Sequence, residues 1–212
     1  MGEVLDTYLT LALAGESLHK VKGSKHFGYA FNVNNEEEIK ERLDEIRKLH
    51  HAARHHCYAW KLGLDDNHYR ANDDGEPSNS AGKPIYGAIL SAEITNVLIV
   101  VVRYFGGTKL GVGGLIDAYR TAAKMAIEAT EIEERLIYGE VDFTFAYERM
   151  GDVMKLLKDL DLPVIDPIYE MSCRLKTSIR LRSLEAFLEQ LEEIESVDVL
   201  QPEKDPEGRW IY

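Results

Sequence analysis

The chain has 212 residues, 45% of them apolar and 29% charged, which is typical of a soluble globular protein with one or two domains. Its two cysteines are too few for a disulfide scaffold, and no apolar run approaches the roughly 20 residues of a membrane helix. Small disulfide-rich proteins and helical membrane proteins are thereby excluded. Because Glu3 and Asp6 stand where a signal peptide is basic, we expect a cytoplasmic protein without membrane contact.

The net charge of −12 is unevenly distributed along the chain. Residues 1–130 hold 15 Lys and Arg against 17 Asp and Glu, whereas residues 131–212 hold 10 against 20. This asymmetry predicts two domains with different partners, and any phosphate contact needs cations. We therefore predict an N-terminal domain over residues 1–134, which carries any anion site, and an acidic C-terminal domain over residues 135–212.

Strands and helices are interleaved in the predicted N-terminal domain. HFGYAFNV predicts a strand, and Asn35 followed by three glutamates is typical of a helix start, after which Ile39, Leu43, Ile46 and Leu49 follow helical spacing. HHCYAWKLG predicts a strand, YRANDDGEPSNSAGKP a loop and PIYGAILSAEI a short helix. NVLIVVVRYF does not alternate, so we expect a central strand covered on both faces. One apolar helical face follows: Leu115, Ala118, Tyr119, Ala122, Ala123 and Ala126.

The predicted C-terminal domain has the order strand, helix, strand, strand, helix, strand. Its elements are GEVDFTFAY, ERMGDVMKLLKDLDL, PVIDPIYEM, SCRLKTSIRL, SLEAFLEQLEEI and SVDVLQP. This βαββαβ order predicts a ferredoxin-like domain. The predicted fold class is therefore α+β, with a βαβ-type N-terminal domain and a ferredoxin-like C-terminal domain. Such folds carry many functions and do not predict one.

Five glycines, Arg103 and Lys109 lie within the thirteen residues RYFGGTKLGVGGL, which we call the glycine segment (residues 103–115). A glycine-rich stretch that opens a helix exposes backbone N–H groups and the positive end of the helix dipole, as in many anion sites. The P-loop and dinucleotide fingerprints are both absent. Two alternatives remain open: the glycines let the helix pack closely on the sheet, or they contact an anion or nucleic acid. The candidate contact residues are Arg103, Gly106, Gly107, Lys109, Gly111, Gly113 and Gly114.

The acidic loop that precedes the short helix carries a second set of candidates, and we call it the DDGEP loop (residues 73–81). Its carboxylates are suited to Mg²⁺ binding or acid–base chemistry, but the same residues are ordinary turn formers. A third alternative pairs the carboxylates with the cations of the glycine segment. We favour turn formation and bracing, and predict no catalytic residue, no metal site and no cofactor. The candidate binding residues here are Asp73, Asp74, Glu76, Ser78 and His55.

A cluster of His50, His51, His55, His56 and Cys57 has some features of a metal site. The spacing of His51 and His55 is that of a HExxH motif, but the glutamate is missing. Four ligands at a recognisable zinc spacing are also missing. His55 and Cys57 face the same side if this stretch is a strand, and we therefore predict that they form a half-buried pair beside the motif loops.

Two long motifs resemble those of the IMPACT/YigZ family. NDDGEPSNSAGKPI and VVVRYFGGTKLGVGGLIDAY match its DDGEPxGTAGxP and RYFGGxKLGxGGL patterns, with Asn79 and Ser80 in place of the usual glycine and threonine. KGSKHFGYA and AARHHCYAW match two further segments of the family. The resemblance covers roughly residues 15–130, and the acidic domain resembles the one that follows in bacterial members.

The resemblance implies an N-terminal fold like domain IV of elongation factor G and domain 2 of a small-subunit ribosomal protein. It also implies regulation of translation: eukaryotic relatives bind the activator of the amino-acid-starvation kinase, and a nucleic-acid or ribosome-associated role is proposed for bacterial members. We therefore expect a non-enzymatic, translation-associated protein that contacts RNA, the ribosome or a protein factor through the two motif loops. A phosphate-binding small-molecule enzyme and a purely protein-binding module are the alternatives. The oligomeric state is not predicted.

Overall fold

The computed structural model describes residues 6–65, 67–201, 203–204 and 210–211. The chain divides into two compact units, one of which is Tyr8–Arg135. The other contains the described residues from Leu136 onward together with Asp6 and Thr7. No helix in the described ranges has the length and apolar composition needed to cross a membrane.

A five-stranded antiparallel sheet forms the centre of the N-terminal unit, with the strand order β2-β3-β6-β4-β5. Strands β3 and β4 run in the same direction on either side of β6 and are joined by helix α1. Strand β1 pairs with β7 in a separate two-stranded sheet. The elements are β1 (Thr7–Leu11), β2 (Gly15–Val21), β3 (Ser24–Asn32), α1 (Glu36–Leu49), β4 (His55–Lys61), β5 (Tyr69–Asn72), α2 (Gly82–Ser91), β6 (Val97–Tyr104), α3 (Gly111–Glu128) and β7 (Ile132–Leu136).

Strand β6 is the central strand, and both of its faces are covered, as its non-alternating sequence predicted. Odd-numbered residues from Val97 to Val101 pack in the core with α2 and α3, whereas even-numbered residues from Leu98 to Val102 pack in the core with α1. All six side chains are fully buried. Because successive strand residues point to opposite faces, this one strand contributes to both cores of the unit.

Helix α1 begins where its sequence predicted. The Asn35 side chain accepts a hydrogen bond from the Glu38 backbone N–H at 2.9 Å, and its amide donates to the Glu38 carboxylate at 3.1 Å. The first bond satisfies a backbone donor that the helix itself cannot pair, and the second joins the two side chains. Three of the four predicted apolar positions are buried, but Leu49 in the last turn is 63% exposed. Helical spacing alone therefore does not show how far the buried face extends along α1.

Helix α3 lies very close to the sheet, and glycines of the strands make this possible. A Cβ added at Gly15 would overlap the Ala126 carbonyl, and one added at Gly28 would lie 2.6 Å from the Ala122 carbonyl oxygen. Both alanines are fully buried, and the Ser17 hydroxyl donates to the Ala122 carbonyl at 3.0 Å. The close helix–sheet packing thus depends on strand glycines and helix alanines, not on the glycine segment.

The C-terminal unit shows the predicted order of strands and helices. Its four-stranded sheet has the order β11-β8-β10-β9, and every neighbouring pair is antiparallel. Helices α4 and α5 contribute to one apolar core with this sheet. The elements are β8 (Tyr138–Ala146), a short 3-10 turn (Tyr147–Arg149), α4 (Met150–Asp159), β9 (Ile165–Ile168), β10 (Ser172–Arg180), α5 (Leu181–Glu192), β11 (Val197–Gln201), β12 (Glu203–Lys204) and β13 (Trp210–Ile211).

One predicted loop is partly a strand. Tyr69–Asn72, the first four residues of the predicted loop YRANDDGEPSNSAGKP, form β5 and pair with β4 from Tyr58↔Asn72 to Lys61↔Tyr69. The stretch is too short to show alternation, and its conformation is set by the ladder hydrogen bonds of a neighbour distant in sequence. It forms an edge of the sheet.

We expect residues 137–212 to unfold cooperatively as an isolated fragment, because their apolar core contains side chains of this unit alone. Urea unfolding followed by circular dichroism should give a single sigmoidal transition. The matched control is Phe143→Ala in the same fragment, which removes a fully buried ring and should lower the free energy of unfolding by about 3–5 kcal/mol. A gradual, non-cooperative loss of signal in the parent fragment would contradict the proposed 1–134 and 135–212 domain division.

Candidate functional site

Asp73 organises the DDGEP loop through three backbone N–H groups. Its Oδ1 accepts from Ala81 at 2.9 Å and from Gly82 at 2.8 Å, and its Oδ2 accepts from Asn79 at 2.8 Å. Helix α2 has no capping side chain of its own at Ala81, so Asp73 supplies the cap from eight residues upstream. The carboxylate is thereby engaged in holding the loop and the start of α2.

Asp74 ties the same loop to strand β4. Its carboxylate accepts from the His56 backbone N–H at 2.6 Å, and its carbonyl accepts from His55 Nδ1 at 2.9 Å. The backbone is left-handed at Asp74, with φ +39°, and at Gly75, with φ +83°. The backbone of Asp74 and Gly75 therefore forms a turn, and the His55 ring donates a hydrogen bond to this turn.

Glu76 and Arg103 form a buried ion pair between the DDGEP loop and the end of β6. Glu76 Oε1 accepts from Arg103 Nη1 at 2.6 Å and from the Tyr119 hydroxyl at 2.8 Å. The carboxylate side chain is 4% exposed and the guanidinium side chain 8% exposed. Burial raises the pKa of Tyr119 well above its usual range, so the phenol stays protonated and donates. Glu76 and Arg103 therefore brace the DDGEP loop against the start of the glycine segment, which is the third alternative given above.

His26 on β3 lies fully buried beside this pair. Its ring contacts that of Tyr119 edge to face, with centroids 5.2 Å apart. Within the described residues, both ring nitrogens of His26 and Nε of Arg103 lack hydrogen-bond partners. Burial, together with the nearby positive charge of Arg103, lowers the pKa of His26 from 6.5 to about 4. His26 is therefore neutral at pH 7.

In the histidine cluster, His50, His56 and Cys57 are buried packing and hydrogen-bonding groups, whereas His51 is exposed. The Cys57 thiol is buried and donates to the Asp73 carbonyl at 3.0 Å, and burial raises its pKa far above the usual range, which makes it unreactive. His50 bonds to the hydroxyls of Tyr29 at 2.6 Å and Tyr104 at 3.0 Å, and burial lowers its pKa. In the part of the chain that the structure describes, no three His, Cys, Asp or Glu side chains converge as metal ligands.

Gly106 is needed for a close approach between the glycine segment and the β2–β3 turn. A Cβ added at Gly106 would overlap the backbone of Gly23 and Ser24. The Gly106 N–H also donates to the Ser24 hydroxyl at 3.2 Å. Packing within the N-terminal unit therefore explains why a glycine stands at position 106.

Three of the other four glycines of the segment open towards free space. Gly107 and Gly111 have φ of +88° and +74°, and a Cβ added at either of them or at Gly113 would meet no atom within 4 Å. An added Cβ at Gly114 would lie 3.1 Å from the Leu110 Cβ. The left-handed backbone explains why glycine stands at positions 107 and 111. At position 113 no contact within the unit requires a glycine.

The outer surface of the glycine segment carries a cation and an aromatic ring. Lys109 is exposed, and Phe105 is 60% exposed with Arg103 Cζ lying 5.6 Å from its ring centroid. A cavity of about 410 Å³ beside Phe105 is lined by further groups, including exposed Arg54 and half-buried His55. This surface combines positive charge with a flat apolar ring.

The structure thus separates the predicted site residues into two groups. Asp73, Asp74, Glu76, His55 and Arg103 come together in one braced cluster that links the DDGEP loop to β4, β6 and α3. Lys109 lies outside that cluster, as does exposed Ser78, which accepts from the Asn79 side chain at 3.4 Å. Of the loop glycines, Gly106 approaches the β2–β3 turn, and those further along form the entry to α3: Gly107, Gly111, Gly113 and Gly114.

Sequence reasoning missed two members of the cluster, Tyr119 and His26. Tyr119 was predicted only as a core position, although a hydroxyl on an otherwise alanine-rich helical face indicates a buried polar partner. His26 gave no signal, because its position depends on the register of β3 against β6, which sets it opposite Arg103. The fold and these loops define a two-unit protein of mixed α and β structure, in which two motif loops are braced on a central strand.

Comparison with known proteins agrees with the motifs. The Impact N-terminal domain model matches residues 22–127. The IMPACT family member YvyE of Bacillus subtilis is 30% identical over 191 residues, covering 90% of this chain and 88% of the relative. YigZ of Escherichia coli is 27% identical over 185 residues, covering 86% and 91%. The chain therefore belongs to the IMPACT family.

The architecture is also similar to that of a solved structure. A crystal structure described as that of a hypothetical protein superposes with a TM-score of 0.76 at 26% identity, covering 95% of this chain and all of the other. A family member from Thermus thermophilus is 42% identical over 106 residues, which is half of this chain and 57% of that relative. The fold of most of this chain is thus shared with a solved structure.

Removal of the Glu76 carboxylate should strongly destabilise the protein. Glu76→Ala leaves the buried Arg103 guanidinium without its counter-ion, which should lower the free energy of unfolding by about 3–5 kcal/mol. Lys109→Ala, at an exposed position, should change it by no more than about 0.5 kcal/mol. Both values come from urea titration, and a double-mutant cycle with Arg103→Ala measures the coupling. Equal stability of Glu76→Ala and Lys109→Ala would show that the pair does not brace the loops.

His26 should make stability depend on pH below neutrality. Because its pKa is about 4 in the folded chain and 6.5 in the unfolded chain, the unfolded state takes up the proton first as pH falls. The associated stability is complete above pH 6.5 and should decrease by about 3 kcal/mol towards pH 4. His26→Phe keeps the ring contact with Tyr119 and should remove this part of the pH dependence, measured by urea unfolding at each pH. The control, exposed His51→Gln, should retain the wild-type slope, and an unchanged slope in His26→Phe would disprove the assignment.

Proposed function

We propose that the protein is a non-enzymatic, translation-associated regulatory protein that binds RNA through the outer surface of its glycine segment. The observation that carries the proposal is the separation of the motif charges. The DDGEP carboxylates and Arg103 are engaged with one another or with backbone groups, whereas Lys109 points its charge to solvent. The motif therefore builds a rigid base and leaves a cation free for an external partner.

The start of α3 supports an anionic partner. Leu110 provides no capping side chain, and the first turn of α3 contains no acidic residue. The other two helices of this unit differ, because α1 is capped by Asn35 and α2 by Asp73. Uncapped N–H groups and the positive end of the helix dipole favour a phosphate group at this place.

The neighbouring ring and cavity favour RNA over a bare anion. Phe105 is largely exposed next to the segment, and aromatic side chains stack on unpaired bases. Arg54 and His55 line the cavity beside it and add positive or hydrogen-bonding groups. The carboxylates that an enzyme would use are instead held by backbone amides and Arg103, so no specific observation favours the enzyme alternative.

The role in translation is supported by membership of the IMPACT family. The motif resemblance implies the regulation of translation that eukaryotic relatives carry out. We further propose that the N-terminal unit has a fold like domain IV of elongation factor G. The C-terminal unit would then be the ferredoxin-like domain, a proposal supported by its strand order β11-β8-β10-β9. The setting that fits these proposals is the cytoplasm, with the ribosome or a translation factor as the source of the RNA contact.

Lys109→Ala should weaken binding to single-stranded RNA without a change in fold. We expect a several-fold loss of affinity for a 20-nucleotide RNA of any sequence, and a decrease of the salt slope by about 0.7 for each lost phosphate contact. Fluorescence anisotropy at several salt concentrations measures both quantities. The matched control is Lys40→Ala, an exposed lysine on α1, which covers the opposite face of the sheet.

Two results would refute the proposal. One is that the full chain fails to bind RNA at low salt, where phosphate contacts are strongest. The other is that Lys109→Ala and Lys40→Ala bind with the same affinity and the same salt slope. In that case the open glycine backbone would have no anionic partner, and protein binding would become the favoured role.

A further inference from the structure

A second cavity of about 850 Å³ lies on the N-terminal unit, between β5, α2 and α3. It shares no lining residue with the cavity beside Phe105. Its volume is in the range of small-molecule sites, which are about 300–1,000 Å³. We call it the β5 groove, and its chemistry depends on six of its lining residues: Tyr69, Arg70, Lys83, Tyr86, Leu90 and Arg120.

Three cations come together around the β5 groove from three different elements. Arg70 lies on edge strand β5, Lys83 in the first turn of α2 and Arg120 on α3, and all three are exposed. None of the residues that line the groove, all within the described part of the chain, is acidic. Arg120 contacts Asp117 at 3.5 Å, but this pair is too exposed to neutralise it effectively. In a chain of net charge −12, such a local excess of positive charge favours an anionic ligand.

The groove also contains a flat aromatic surface. The rings of Tyr69 and Tyr86 are stacked, with centroids 4.2 Å apart and planes inclined by 11°. Tyr69 is nevertheless 47% exposed, and Leu90 beside the stack is 46% exposed. A partly open tyrosine stack next to aliphatic carbon is a suitable surface for a planar base.

The walls of the groove are held in place by the braced cluster. Asp73 caps α2 one residue before Lys83 and also binds the backbone of Asn79, which lines the groove. On the opposite wall, Tyr69 and Arg70 are in register with Lys61 and Trp60 of β4. The cations and the ring stack therefore stand on fixed backbone, which reduces the entropy lost when a ligand binds.

We propose that the β5 groove binds a nucleotide unit, with its base on the Tyr69–Tyr86 stack and its phosphate among Arg70, Lys83 and Arg120. A free mononucleotide and one residue of a single-stranded RNA present the same chemistry to this site. The proposal is independent of RNA binding by the glycine segment, because it uses none of the residues of that segment.

The test is to titrate the full chain separately with AMP, adenosine and inorganic phosphate and to measure each affinity by isothermal titration calorimetry. AMP should bind at least tenfold more tightly than adenosine or phosphate, because only AMP uses the ring stack and the cations together. Arg120→Gln should lower the affinity for AMP about tenfold and leave the affinity for adenosine unchanged. Tyr69→Leu should lower both affinities about tenfold. Lys124→Gln, one turn further along α3 and outside the groove, is the matched control and should bind AMP like the parent chain.

An octa-adenylate without terminal phosphate distinguishes the two sources of the nucleotide. If AMP binds at least as tightly as the octamer, the groove takes a free nucleotide. If the octamer binds at least tenfold more tightly than AMP and loses this additional affinity in Arg120→Gln, the groove binds a single-stranded RNA. The proposal is overturned if neither AMP nor the octamer is weakened by Arg120→Gln relative to Lys124→Gln. Thermal unfolding of Tyr69→Leu shows whether it folds, and Arg120→Gln decides the question if it does not.

Discussion

The buried contact of Glu76 with Arg103 and Tyr119 is the interaction on which the rest of the N-terminal unit depends. It joins the DDGEP loop, the end of central strand β6 and the alanine-rich face of α3 at one carboxylate oxygen. A buried charge is tolerated only when it is paired and hydrogen-bonded, so the loop cannot move away without exposing or isolating a charge. This constraint fixes the distance between two loops that lie almost thirty residues apart in sequence.

Because the loop is fixed in this way, its remaining polar groups also have set roles. Asp73 caps α2 and Asp74 binds β4, so the motif carboxylates form a scaffold for the surfaces on either side. On one side the glycine segment presents Lys109 and an uncapped helix start, and on the other the β5 groove presents cations and stacked tyrosines. A motif of acidic residues thereby supports two positively charged surfaces.

Much of the fold was predictable because local pattern and tertiary environment agree. The non-alternating run of β6 indicated a strand covered on both faces, and Asn35 with its glutamates indicated the start of α1. Strand β5 was not predictable, since its four residues pair with β4 only after the sheet has assembled. Helical periodicity grouped Leu49 with Ile39, Leu43 and Ile46, but periodicity does not show how far the core extends along a helix, and Leu49 is exposed in the last turn of α1.

The sequence by itself determined the family, through two motifs at the correct separation, and it determined which residues were candidates for a site. It left open whether Arg103 and Lys109 brace the carboxylates or bind a partner, since both have the same charge and belong to the same segment. Only the tertiary structure separated them, because a cation's role depends on whether its strand or loop carries it into the core or towards water. Arg103 continues the register of β6 into a buried pair with Glu76, whereas Lys109 follows the open glycines to the surface.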